Sequence, residues 1–143
     1  MKYAHLADLH IGSWRDQKMC DLSLNAFAQA IDNCLEKKVD FILFSGDLFN
    51  TSLPAIESLK SVTSKLKQLQ EENIPVYVVP GSHDFSPSGK TMIDVLEKAG
   101  LLINVCKGSS VGNVSLFVNK DSGAANHLFT TNGSVAITSL KKG

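Results

Sequence analysis

The residues of this chain best suited to chemistry fall in three short stretches. They are Asp8 and His10 in "LADLHIG", Asp47 in "LFSGDLFN", and His83 with Asp84 in "VVPGSHDFS". Each group follows an apolar run, so a carboxylate or imidazole stands at the mouth of a segment that belongs in a core. Such groups crowded at a low-dielectric edge would repel or lose hydration without a counter-charge. A divalent cation, or two, supplies it. Mixed oxygen and nitrogen donors favour Mn²⁺, Fe²⁺ or Zn²⁺ over Ca²⁺ or Mg²⁺, which prefer oxygen alone. An Asp between two such ions bridges them at about 3.5–4 Å, the spacing used for phosphoester hydrolysis. Gly46 and Gly81 let the backbone turn sharply and approach a phosphate closely.

The elements that must position these groups are legible as an alternation. Lys2 to Ala7 reads as a first strand. Leu24, Phe27, Ala28, Ile31, Cys34 and Leu35 recur at helical spacing, with Asp21 or Ser23 as cap. Val39 to Ser45 is nearly all apolar, which predicts a strand covered on both faces. Pro54, placed in a first helical turn, opens a second helix marked by Ile56, Leu59, Val62, Leu66 and Leu69. Ile74 to Val79 is a third strand. Met92, Val95 and Leu96 mark a short helix that Gly100 ends, and Leu101 to Val105 is a fourth strand. Strand–helix–strand repetition implies right-handed crossovers and a parallel sheet. The carboxyl ends of neighbouring strands then lie side by side, along the edge where open α/β folds bind ligands. After Lys107, glycines punctuate short β-like runs such as "VSLFV" and "SVAITSL", which predict antiparallel hairpins. The expected architecture is one α/β domain over 1–143. A doubly wound, parallel βαβαβ half spans 1–107, and a β-rich antiparallel tail spans 108–143.

A chain of 143 residues with 43% hydrophobic and 20% charged content is of globular type. Lys plus Arg and Asp plus Glu both number 14, so global charge gives no support to a nucleic-acid partner, although a local patch would suffice. Cys20, Cys34 and Cys106 form neither a disulfide framework nor a CxxC clip. With no signal pattern and no apolar run of about 18 residues, a cytoplasmic protein with reduced thiols is expected.

"DLH", "GDLF" and "GSHD", in this order and each after a strand, resemble the first three motifs of the calcineurin-like metallophosphoesterases. "FILFSGDLFNTSLP" and "IPVYVVPGSHDFSPSGKTMIDVLEKAGL" are similar more narrowly to the SbcD-type exonucleases, the nuclease subunits of double-strand-break repair complexes. The resemblance covers roughly residues 1–107. It implies that Asp8 and His10 ligate a first metal, that Asp47 bridges two, and that Ser82 stands at a ligand position of the second. It further implies that His83 contacts the phosphate and assists the leaving oxygen, while Asp84 orients His83 by accepting its other ring N–H. Two divalent cations, Mn²⁺ foremost, would activate a bound water for in-line attack on phosphorus. DNA is the implied substrate, with a homodimer and an ATPase subunit as implied partners.

The sequence departs from that pattern twice. Ser82 replaces the family's Asn, and its shorter hydroxyl predicts a weaker second metal. The family's downstream lone histidine and G-H-x-H element are not matched: after His83 the sequence contains only His127. The chain therefore reads either as the N-terminal part of a longer enzyme or as a member that has lost half its site. Two alternatives to a nuclease stand beside it: a catalytically incomplete module for assembly or DNA binding, and a small-molecule phosphodiesterase. Other residues have ordinary readings as well. His5 is expected as a packed or edge histidine, and Lys60, Lys65 and Lys67 as a solvated helix face. Trp14 and Arg15 either stack on a nucleic-acid strand or have no role. Ser86, Ser88 and Lys90 either touch phosphate or form a plain turn.

Overall fold

The computed structural model describes residues 1–107 and, beyond them, only the backbone of the short stretches 110–111, 114–115, 126–131 and 134–139. The expected tail, with the His127 side chain, lies outside the residues described in full. Strand β1 (Tyr3–Leu6) leads to α1 (Gln17–Glu36), β2 (Phe41–Ser45) and α2 (Ile56–Glu71). These are followed by β3 (Val76–Val79), α3 (Met92–Lys98), β4 (Ile103–Asn104) and a 3₁₀ turn, Val105–Lys107. The four strands form one parallel sheet in the order β1-β2-β3-β4, with Leu6 opposite Phe44, Ser45 opposite Val79 and Val78 opposite Asn104.

This strand order decides where the helices lie. Each crossover steps the same way along the sheet, and right-handed crossovers then place every helix on one face. The core agrees: Ile42 and Phe44 from β2 and Val76 and Val78 from β3 pack in one cluster with Phe27, Ile31, Val62, Leu66, Leu69, Ile93 and Leu96 from the three helices. A doubly wound arrangement is thus corrected to a singly wound one. The expectation that β2 is covered on both faces is corrected with it, because its burial alternates along the strand. On the other face Tyr3 stacks on Phe41 at 5.4 Å, and Phe41 meets Tyr77 edge-on at 6.0 Å. These aromatic residues shield one another across strands while remaining half-exposed or exposed. An apolar run such as "FILFS" therefore does not separate one-sided from two-sided burial. His5 lies exposed on this outer face, at the edge strand, with Nε2 2.8 Å from the Ser45 hydroxyl.

Helix boundaries show what propensity missed. Helix α1 begins four residues before Asp21, because Asp16 caps it by accepting the Met19 N–H at 3.1 Å. Pro54 lies ahead of the N-cap Ala55 and not within the first turn of α2. Thr91 caps α3 through the Asp94 N–H, and Gly100 follows its end at φ +73°. Val95, expected on the buried face of α3, is 56% exposed. Burial pushes the Cys34 thiol up from its ordinary pKa, with Lys37 opposing the shift.

Candidate metal centre

Beyond their regular ends, β1 and β2 remain laced together. The Asp8 N–H donates to the Gly46 carbonyl (3.2 Å), the His10 N–H to the Asp47 carbonyl (2.9 Å) and the Ile11 N–H to the Leu48 carbonyl (3.1 Å). The Asn50 N–H returns to the Ile11 carbonyl at 3.1 Å, and Gly46 N–H reaches back to Val79 of β3 at 2.8 Å. Buried Ile11, Leu48 and Phe49 anchor this extension in the core. Two polar strand ends are thereby held in fixed register at the carboxyl edge of the sheet.

The backbone at this edge is strained. Among the described residues, non-glycine positions with left-handed φ are Asp8, His10, Lys38, Asp47 and Asn73. Lys38 and Asn73 each follow the C-cap of a helix, where such a residue ends the helix. Asp8 (+53°), His10 (+43°) and Asp47 (+48°) end no helix. Each such conformation costs on the order of 1–3 kcal/mol and persists where the surroundings over-determine it. Here it turns side chains from two adjacent strand ends towards one point.

Three of the sequence-predicted residues meet there. Ligand atoms of His10, Asp47 and His83 all lie within 4.8 Å of one another. His10 Nε2 is 3.7 Å from Asp47 Oδ2, and the rings of His10 and His83 meet edge-to-face at 4.8 Å. The other oxygen of Asp47, Oδ1, accepts the backbone N–H of His83 at 2.8 Å. His10 Nδ1 is buried with no hydrogen-bond partner among the described residues. Two imidazoles, one of them with an unsatisfied nitrogen, and one carboxylate fit a transition-metal cation. Asp8 is exposed and falls outside the group, and Ser82 is exposed as well.

Asp84 does something other than the resemblance implied. It is 1% exposed, and its oxygens accept three backbone N–H groups: Leu48 (3.1 Å) and Gly81 (3.0 Å) at Oδ2, and Phe49 (3.0 Å) at Oδ1. The His83 ring is held instead by the Asn50 carbonyl, 3.0 Å from Nδ1. A carboxylate that staples two loops by their backbones is needed because the turn after β2 has no ladder partner for those donors. Sequence reasoning missed the Asn50 carbonyl and these amides, since backbone groups leave no signature in residue type.

Gly81 has a steric reason of its own. A Cβ there would overlap Asp47 Oδ1 and the Asp47 backbone nitrogen, so the backbone of Gly81 approaches Asp47 closely. Gly81→Ala is expected to push Asp47 out of the group, costing about 1–3 kcal/mol of stability by overpacking and about ten-fold in Mn²⁺ affinity. Urea unfolding and calorimetry of the variant read the two effects.

The remaining candidates stand apart. Ser86 and Ser88 bond to each other at 2.8 Å, and the Ser86 carbonyl accepts the Gly89 N–H, which makes a turn. Lys60 pairs with Glu57, and Lys65 with Asp32 at 2.6 Å. Trp14 and Arg15 are exposed, and the Trp14 carbonyl accepts the Cys20 thiol at 2.8 Å. Among the described residues, no helix is long and apolar enough to cross a membrane.

The profile of the family described as "Calcineurin-like phosphoesterase" matches residues 1–140. The chain belongs to this family. The match spans both the strand-end motifs and the residues after them. Among curated relatives, the "DNA double-strand break repair protein Mre11" of Archaeoglobus fulgidus is 35% identical over 108 residues, covering 71% of this chain and 24% of the relative. The protein of that name from Methanocaldococcus jannaschii is 38% identical over 87 residues, covering 59% and 24%. That of Methanosarcina mazei is 28% identical over 120 residues, covering 82% and 19%. The matched part of this chain thus spans about a quarter or less of the length of these relatives.

Proposed function

We propose that this domain carries the metal-binding part of a phosphodiesterase that cleaves DNA, of the kind used in strand-break repair. The observation that carries the reading is the convergence of His10, Asp47 and His83, drawn from three strand ends, on one point. The DNA substrate is supported by the printed names of the relatives. A divalent cation held by these residues, Mn²⁺ first among candidates, supplies Lewis acidity to the phosphoryl group. The chain's own residues do the rest: the β1–β2 lacing sets His10 and Asp47 in register, and the Asp84 staple holds the loops that carry His83. In this reading the protein is cytoplasmic, residues 1–143 form one domain, and the tail is β-rich and antiparallel. A second copy and an ATPase subunit are its partners.

The test is Mn²⁺-dependent cleavage of a linear DNA oligonucleotide beside hydrolysis of bis(p-nitrophenyl) phosphate. Cleavage of the oligonucleotide, abolished by chelator, is expected. Hydrolysis of the small ester alone would favour a small-molecule phosphodiesterase. Mn²⁺ binding with neither reaction would leave a catalytically incomplete module, a reading favoured by Ser82.

A further inference from the structure

We propose that Trp14 and Phe85 form a stacking platform for unpaired bases of a nucleic-acid strand whose phosphates pass the strand-end group. The inference deepens the function proposed above by naming substrate contacts, and it rests on that reading.

The presentation of the two rings comes first. Trp14 is 51% exposed and Phe85 68%. Among the described residues the other Phe and Tyr rings either meet another ring, as Tyr3, Phe41 and Tyr77 do, or are buried, as Phe49 is. Trp14 and Phe85 meet none, yet each is held out from a fixed backbone. Phe85 directly follows the stapling Asp84 and precedes the turn that the Ser86 carbonyl closes on the Gly89 N–H at 2.9 Å. Trp14 stands between Ser13, whose N–H bonds the His10 carbonyl at 3.1 Å, and Asp16, which caps α1. Its own carbonyl accepts the Cys20 thiol. Rings fixed in advance lose little freedom on binding, so more of the contact energy appears as affinity.

Placement gives the second argument. In the sheet order β1-β2-β3, the strand that leads to Asp47 lies between the two strands whose loops carry the rings. Trp14 follows His10 by four residues and Phe85 follows His83 by two, which limits the Cα separations to about 14 Å and about 7 Å. Both rings therefore belong to the carboxyl edge where a phosphodiester would meet a cation. Each loop also carries a positive charge. Arg15 adjoins Trp14 and Lys90 stands just past the turn after Phe85; both are exposed and in no ion pair among the described residues. Rings for bases and cations for phosphates are the two components of a single-strand binding surface. An apolar protein segment would cover the rings but leave both cations without a counter-charge. In a paired duplex, neighbouring bases cover the faces that these rings need, so the platform selects unpaired strands.

Trp14 is the single tryptophan of the sequence, so its emission reports on the platform directly. The full chain is titrated in EDTA, which prevents cleavage, with a short oligothymidylate and with a blunt duplex of equal length. Quenching by the single strand, and little by the duplex, is expected. Anisotropy of a labelled strand reads the variants. Trp14→Ala and Phe85→Ala are each expected to weaken single-strand binding about five-fold or more, with Trp14→Phe and Phe85→Tyr close to wild type. The salt dependence should be unchanged in these variants, because no phosphate contact is lost, while Arg15→Gln reduces its slope by about 0.7. Both rings are exposed, so circular dichroism should show the variants folded. Equal binding of strand and duplex, an unquenched Trp14, or alanine variants within about two-fold of wild type would overturn the inference. If such unchanged variants accompany a wild type that cleaves DNA, only the platform fails. Single-strand binding as expected here, without any Mn²⁺-dependent cleavage, would support the platform and bring down the proposed cleavage alone.

Discussion

Asp84→Ala is expected to destabilise the domain by about 3–5 kcal/mol, because buried backbone donors lose their acceptor. The side chain is 1% exposed and accepts from Leu48, Phe49 and Gly81, so truncation leaves three amides without an acceptor. Each unsatisfied buried donor costs about 1–3 kcal/mol, and local relaxation keeps the sum below the simple total. Against a typical stability of about 5–15 kcal/mol, the loss is large. Asp84→Asn retains one acceptor oxygen but turns an NH₂ towards backbone donors, so about 2–3 kcal/mol is expected. Urea unfolding of the two variants gives the figures. A loss under about 1 kcal/mol for the alanine variant would mean that the staple does not hold the loops.

That staple also shows where sequence reading stops. The parallel sheet and its helices were legible because apolar spacing switches between periods of two and 3.6, a pattern that burial imposes directly. The convergence of His10, Asp47 and His83 was legible too, since parallel strands put their carboxyl ends side by side. Asp84 was legible as important but not in its contacts: a buried carboxylate after a histidine suits a ring N–H or a set of backbone amides equally well. Which of these wins depends on the turn at 48–50, whose path is set by the left-handed Asp47. The single-faced winding was hidden because Tyr3, Phe41 and Tyr77 keep the outer face apolar. Helix α1 began early because Asp16 found the Met19 amide, an interaction that competes with Asp21 on equal chemical terms.

Asp47→Asn is expected to abolish Mn²⁺ binding, by about 100-fold or more in affinity, while leaving the fold nearly intact. A hundred-fold loss corresponds to about 2.8 kcal/mol of binding energy. The two oxygens of Asp47 have separate duties: Oδ1 holds the His83 amide, and Oδ2 faces His10 at 3.7 Å. An Asn whose carbonyl takes the Oδ1 place still accepts the His83 N–H. Its NH₂ then stands where Oδ2 was, and an amide nitrogen with no free lone pair does not ligate a cation. The group also loses its one carboxylate. Asp47→Ala removes both duties at once and should add a stability loss of about 1–3 kcal/mol from the orphaned amide. Comparing the two variants therefore separates ligation from loop support, with calorimetry reading the first and urea unfolding the second. Asp47→Asn binding Mn²⁺ within about three-fold of wild type would place the cation elsewhere, and would break the link between the strained strand end and the chemistry it positions.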